Sequence, residues 1–207
     1  MSRGPRPEYL CYENIKDYAD SFLDEHHRDR AIPIPIEEII ESQLGIDIIP
    51  VPGISNTRGV DGFLYCDLSA IVVDQDKMVT RYFRHRFTLA HEVGHLTIHR
   101  PIFESLKCDS EAEWVEFQDS LSSTEMTWLE RQADNFAGLV LVPPTQLVDK
   151  IKTCINKLQA EGGEYLRESD FAWDLVETCL SKIFQVSKQV VHIRPDKDGV
   201  RNHFNIL

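Results

Sequence analysis

FTLAHEVGHLTIH, residues 87–99, decides how this chain is read, because it sets three histidines and a glutamate within thirteen positions. If the stretch is helical, His91 and His95 lie about 40° apart around the axis and ~6 Å apart along it, so both imidazoles can reach one ion. Glu92, about 100° round from its neighbour, is badly placed to share that ion but well placed beside a water bound to it. This is the HExxH arrangement, in which two histidines bind zinc and the glutamate takes the proton of the water. His99 lies two turns beyond His91 and reads as a helix-end histidine. His85 precedes the pair by more than one turn and reads as a surface residue.

The motif needs support, since three fixed residues recur by accident in roughly one chain in forty of this length. Gly94 offers some. A glycine inside a helix costs about 1 kcal/mol relative to alanine, which makes sense if a backbone or a ligand packs against that turn, though a packing reason alone is also allowed. A catalytic zinc site commonly has three protein ligands and leaves the fourth position for water. The continuation HExxHxxGxxH is missing, because Ile98 falls where its glycine would stand. The third ligand must come from elsewhere.

A second strongly helical stretch, WLERQADNFAGLVLVP, supplies one. Glu130 and Asp134 are four residues apart and share a face. Glu130 completes a two-histidine, one-carboxylate set, and Asp134 can accept the free ring N–H of His91 or His95 and so orient it. Taken alone, the two acids would be the solvated stripe of an amphipathic helix. Joined to HExxH, they read as ligand and orienting partner. The set suits zinc, and also manganese or iron.

Outward from these two helices the pattern is regular. Tyr12–His26 has helical spacing, and its charged end leaves His26 and His27 in solvent. IEEIIESQL is a short helix closed at Gly45. IDIIPV, GVDGFLYC and SAIVVD read as three strands joined by turns, hence a small antiparallel sheet. Val79–His99 reads as one helix stopped by Pro101, and Thr124–Val142 as another stopped by Pro143-Pro144. Residues 102–122 are acidic and unassigned, with Trp114 and Phe117 as anchors. TQLVDKIKTCINKLQA and SDFAWDLVETCLSKIF are helical, separated by a Gly-Gly loop. Residues 1–10 form a loose tail, and VSKQVVHIRPDKDG is short and turn-rich. Strands first and helices after give an α+β fold.

Composition excludes several classes. The net charge of −12 over 207 residues argues against direct nucleic-acid binding through phosphates. No apolar run reaches the ~20 residues of a membrane span, and the N-terminus lacks a signal-peptide core. Five dispersed cysteines, Cys11, Cys66, Cys108, Cys154 and Cys179, read as reduced thiols of a cytoplasmic protein.

The pairing of FTLAHEVGHLTIH with ERQADNFAGLVLVP resembles the ImmA/IrrE metallopeptidase family. Glu130, Ala133, Asp134, Phe136, Ala137 and Pro143 stand where that family's second helix places its pattern. GFLYC, AIVVD and VSKQVVHIR are similar to family stretches too, so the resemblance runs over about residues 10–195. It implies a gluzincin-like zinc peptidase of the bacterial or phage cytoplasm, with His91, His95 and Glu130 as ligands and Glu92 as base. It further implies a DNA-binding, helix-turn-helix repressor as substrate, whose cleavage releases stress-response or mobile-element genes. Residues 100–125 depart from the family in being longer and more acidic, and Asp134 stands where asparagine is common.

The expectation is therefore an α+β, zincin-like core over residues 1–143, its antiparallel three-stranded sheet packed on the HExxH helix and the glutamate helix. A C-terminal helical extension spans 144–207. Peptide hydrolysis is the expected activity, with a substrate strand laid along AIVVD. The other reading is a metal-stabilised module that recognises a transcription regulator without cutting it. Tyr65, Tyr82, His99 and Tyr165 are the candidates for stabilising the oxyanion. His192 and His203 read as structural or exposed.

Overall fold

A computed structural model describes residues 5–106, 111–160 and 169–204. Cys108, Tyr165, the Gly-Gly loop and the His203 side chain lie outside the described residues. Helix α1 (Tyr12–His26) buries Ile15, Ala19, Phe22 and Leu23 on one stripe, the spacing that predicts it. His26 and His27 are partly covered rather than solvated, and bond Gln43 Oε1 at 3.1 Å and the Ala31 carbonyl at 2.8 Å. The next segment is a single turn, α2 (Ile36–Glu38), running into a π-type turn over Ile39–Gln43. Gly45 follows with φ 66°, the left-handed conformation that ends a helix.

Three strands follow, β1 (Asp47–Val51), β2 (Gly62–Leu64) and β3 (Ala70–Asp74). Their order is β1-β3-β2, with β1 parallel and β2 antiparallel to β3. The sheet is thus mixed, which corrects the antiparallel expectation. The cause lies in the link after β1. PGISNTRG is not a hairpin turn but a short helix, α3 (Ile54–Arg58), with left-handed glycines at both ends. It carries the chain past β3 before β2 and β3 close as a hairpin. AIVVD, the β3 sequence, is buried at every position, as a central strand requires. Both of its edges are paired, so no substrate strand can add to it; β2 and β1 are the edges.

The expected helix Val79–His99 is two helices. α4 (Gln75–Thr80) is capped by the Asp74 side chain, which accepts from the Lys77 N–H at 3.0 Å. Arg81 then leaves helical geometry, with φ −134° and ψ 54°, and α5 (Tyr82–Ile98) starts on a new axis. That break leaves α4 against β3 while α5 packs on β2 and β3. The acidic stretch forms α6 (Arg100–Leu106) and α7 (Glu111–Ser120). Phe117 is buried with Ile102 and Leu129, and Trp114 stacks on Phe103 at 4.4 Å, so both expected anchors hold.

α8 (Ser123–Leu141) opens with a capping box between Ser122 and Glu125, which satisfies two terminal N–H groups. Its apolar face meets α5 and α1, where Phe136 packs edge-on against Phe22 at 5.5 Å. α9 (Pro144–Ala160) and α10 (Ser169–Phe184) follow the sequence pattern. The segment read as turn-rich is instead helix α11 (Lys188–Lys197). Tertiary contacts hold it. Buried Arg194 donates to the Val142 carbonyl at 3.1 Å and pairs with Asp198 at 2.9 Å, ties that hold the helix although Pro195 inside it has no N–H for the Val191 carbonyl. The chain is mostly helical around a small mixed sheet, an α+β arrangement. Among the described residues no helix is long and apolar enough to cross a membrane, and no disulfide joins Cys11, Cys66, Cys154 or Cys179.

Candidate metal centre

The two helices singled out by the sequence cross at Gly94. A Cβ there would stand 3.0 Å from Ala133 Cα and 3.2 Å from the Ala133 carbonyl oxygen. The missing side chain therefore lets the backbones of α5 and α8 touch, and brings Glu130 up to the histidines. His91 Nε2 lies 3.0 Å from His95 Nε2. Glu130 carboxylate oxygens lie 3.4 Å from His91 Nε2 and 3.8 Å from His95 Nε2.

These spacings suit an ion. Ligand atoms held ~2.1 Å from a tetrahedral zinc lie about 3.4 Å from one another, and the three separations bracket that value. Among the described residues, His91, His95 and Glu130 are the set of acidic, histidine or cysteine side chains grouped closely enough to hold a metal. Asp134 Oδ1 is 2.9 Å from His91 Nδ1. A carboxylate can only accept, so this nitrogen carries the proton and the His91 Nε2 lone pair is free for a cation.

Glu92 sits just outside this set, and its Oε2 accepts the Leu64 N–H at 3.0 Å. It faces a cleft of about 900 Å³ between β2 and α5, whose wall also includes His91, His95, Phe103, Trp114 and Glu130. The edge of β2 opens onto that cleft. Tyr65 N–H donates to the Ala70 carbonyl and Asp74 N–H to the Asp61 carbonyl, so by antiparallel alternation Gly62 and Leu64 turn their backbone groups away from β3.

Residues 71–195 match the peptidase M78 family, described as the IrrE N-terminal-like domain. The chain belongs to the ImmA/IrrE metallopeptidase family. That membership supports a peptidase that uses a metal. No curated protein sequence matches the chain. Among solved structures it is similar to a Mycobacterium tuberculosis transcriptional regulator, at 15% identity and a TM-score of 0.55. The match covers 90% of this chain and 56% of that one, so the chain spans little more than half the length of this relative. At that identity the likeness speaks for the fold.

The electrostatics of this ImmA/IrrE site are uneven. Burial opposes charge on His91, but hydrogen bonds to Asp134 and Glu130 outweigh it and lift the pKa to about 10. Burial raises Glu92 to about 7, against the pull of His91 and the Leu64 N–H. Burial, with His91 and His99 nearby, drives His95 well below the ordinary histidine range. Without a metal these surroundings thus favour a protonated His91, and a carboxyl tuned near neutrality stands next to it.

Several expectations about single residues change. His99 caps the C-terminal end of α5, as its position predicts, but it is 3% exposed and 3.0 Å from His95 Nδ1, so it also adjoins the site. His85 is 4% exposed, because α5 turns that face inward. His192 is exposed, as expected, and its Nδ1 lies 2.8 Å from Glu177. Of the oxyanion candidates, Tyr65 lines the cleft and Tyr82 lines a separate hollow beside α11. Two contributors were missed. The Leu64 N–H is a backbone group with no mark in the sequence. Gln132 did leave a mark: it lies among Leu129, Ala133 and Phe136 on the buried stripe of α8, where an amide needs a polar reason to be.

Proposed function

We propose that this protein is a zinc-dependent endopeptidase that cleaves a helix-turn-helix transcriptional repressor in the cytoplasm, releasing stress-response or mobile-element genes. The observation that carries the chemistry is the convergence of His91, His95 and Glu130 beside a buried Glu92 that faces the cleft. His91, His95 and Glu130 would hold the ion in a zincin-like crossing of α5 and α8, and Asp134 would orient His91. When bound, the ion supplies Lewis acidity to the scissile carbonyl and to a water molecule. Glu92 removes the proton from that water and delivers it to the departing amine, a task suited to a carboxyl with a pKa near 7. The substrate would run as an added strand along β2, whose outward backbone groups border Glu92. Zinc is the metal best matched to this donor set, although manganese and iron accept the same ligands.

The choice of a repressor rests on the family resemblance. Helices α9–α11, from residue 144 onward, are read as an extension packed on the core formed by residues 1–143. The test is incubation of the purified protein with the repressor encoded beside it, following fragments with and without a chelator. Fragments that form only without chelator support the proposal. A stable complex that yields no fragments in either condition would favour a binding module instead.

A further inference from the structure

We infer that His99 and Gln132 are positioning residues that dictate which nitrogen of His95 faces the metal, through a one-way chain of hydrogen bonds anchored on the Glu8 backbone. The chain can be read from its far end. Gln132 Nε2 is 2.7 Å from the Glu8 carbonyl oxygen, which can only accept, so the amide NH₂ must point there and Gln132 Oε1 must point the other way. That oxygen lies 2.9 Å from His99 Nε2, so His99 carries its proton on Nε2. A doubly protonated His99 would be a buried charge whose partner is a neutral amide, an expensive arrangement. Neutral His99 therefore presents a bare Nδ1 to His95 Nδ1 at 3.0 Å. His95 must place its proton on Nδ1, which leaves the Nε2 lone pair aimed at His91 Nε2 and Glu130.

Two acceptors, Asp134 for His91 and His99 for His95, thus fix both rings in the one tautomer that can bind a cation. The segment read as a loose tail is the anchor for one of them. Reversing the chain would set two oxygens against each other at the Glu8 end, so the order of protons has a single direction. His99 completes the part of FTLAHEVGHLTIH that HExxH leaves unused: two of its histidines face the ion and the third sets the proton on the second.

This inference rests on the proposed metal site, but its first measurement needs no metal. Long-range ¹H–¹⁵N spectra of the chelator-treated full chain should show His95 and His99 protonated on Nδ1 and Nε2 respectively. A His95 ring protonated on Nε2 alone would overturn the inference, whatever the protein does with zinc. The second measurement is zinc affinity, by competition with a chromogenic chelator. His99→Leu and Gln132→Leu should weaken zinc by roughly 10–100-fold, whereas His99→Asn, whose amide oxygen can stand where Nδ1 stood, should stay within about threefold of the parent. Equal losses in His99→Leu and His99→Asn would reduce the role to packing and overturn it. A parent protein that binds no zinc but shows the stated tautomers would sink the proposed function and leave the hydrogen-bond chain standing.

Discussion

Gly94 and Ala133 meet backbone to backbone, with only 3.0 Å between a notional Gly94 Cβ and Ala133 Cα. That contact sets the distance between the helix bearing His91 and His95 and the helix bearing Glu130. Alanine at residue 94 would favour the helix by about 1 kcal/mol, but it would press a methyl group into main chain that cannot swing aside. The steric term should win, at about 1–3 kcal/mol of lost stability. Gly94→Ala is expected to unfold at lower denaturant than the parent and to bind zinc more weakly. A variant as stable as the parent, with unchanged zinc affinity, would show that the crossing can relax without moving the ligands.

Glu92 and His91 are adjacent in sequence yet separable by substitution. Glu92→Gln keeps the shape and leaves His91, His95 and Glu130 in place, so zinc content should persist while cleavage falls by a hundredfold or more. His91→Ala removes a ligand and should lose both. Zinc analysis beside a cleavage assay distinguishes them, and cleavage by Glu92→Gln at the parental rate would remove Glu92 from its assigned role.

The residues brought together at the site were legible because their spacing is local. His91 and His95 share a helix face, as do Glu130 and Asp134, and helical periodicity alone puts each pair together. What joins the two pairs is a glycine opposite an alanine, visible in the sequence but ambiguous until the helices cross. The sheet was less legible. Nothing in PGISNTRG distinguishes a tight turn from a single helical turn that carries the chain across β3, and the choice reverses the direction of β1 relative to its neighbour. Helix α11 was missed for a similar reason, since the buried ties of Arg194 to Val142 and Asp198 lie beyond any local pattern. His99 was legible as the end of the helix but not as part of the site, because the partners that fix its proton, Gln132 and through it Glu8, are distant in sequence.

Asp134 touches His91 but is not within the ligand set, and its removal should read accordingly. Asp134→Ala frees the His91 ring to rotate and to choose its tautomer, so zinc affinity should drop by roughly 10–100-fold. Asp134→Asn still offers an oxygen to the Nδ1 proton and should lose less. Glu130→Ala removes a ligand outright and should lose more than either. Titration of the three variants with zinc under one buffer checks the order, and an Asp134→Ala variant weaker than Glu130→Ala would exchange the two roles.

The protonation of His91 gives the metal-free protein a recognisable pH profile. Its pKa is raised from 6.5 to about 10, so the folded state holds this proton more tightly than the unfolded chain does. The stability it contributes is fully present below pH 6.5 and is lost as pH rises toward 10. Glu92, raised from 4.5 to about 7, acts in the same direction, and its contribution is mostly lost by pH 7. His85, His95 and His99 are shifted downward, so above pH 7.5 they are neutral in both states and drop out. Between pH 7.5 and 9 the melting temperature of the chelator-treated protein should therefore fall mainly on account of His91. Zinc must displace that proton to bind, so its affinity should rise by about tenfold per pH unit over the same interval, and the loaded protein should melt with a flatter profile. Scanning fluorimetry with chelator and with zinc measures both. A metal-free melting temperature that stays level or climbs from pH 7.5 to 9 would mean that His91 does not hold the proton the geometry assigns to it.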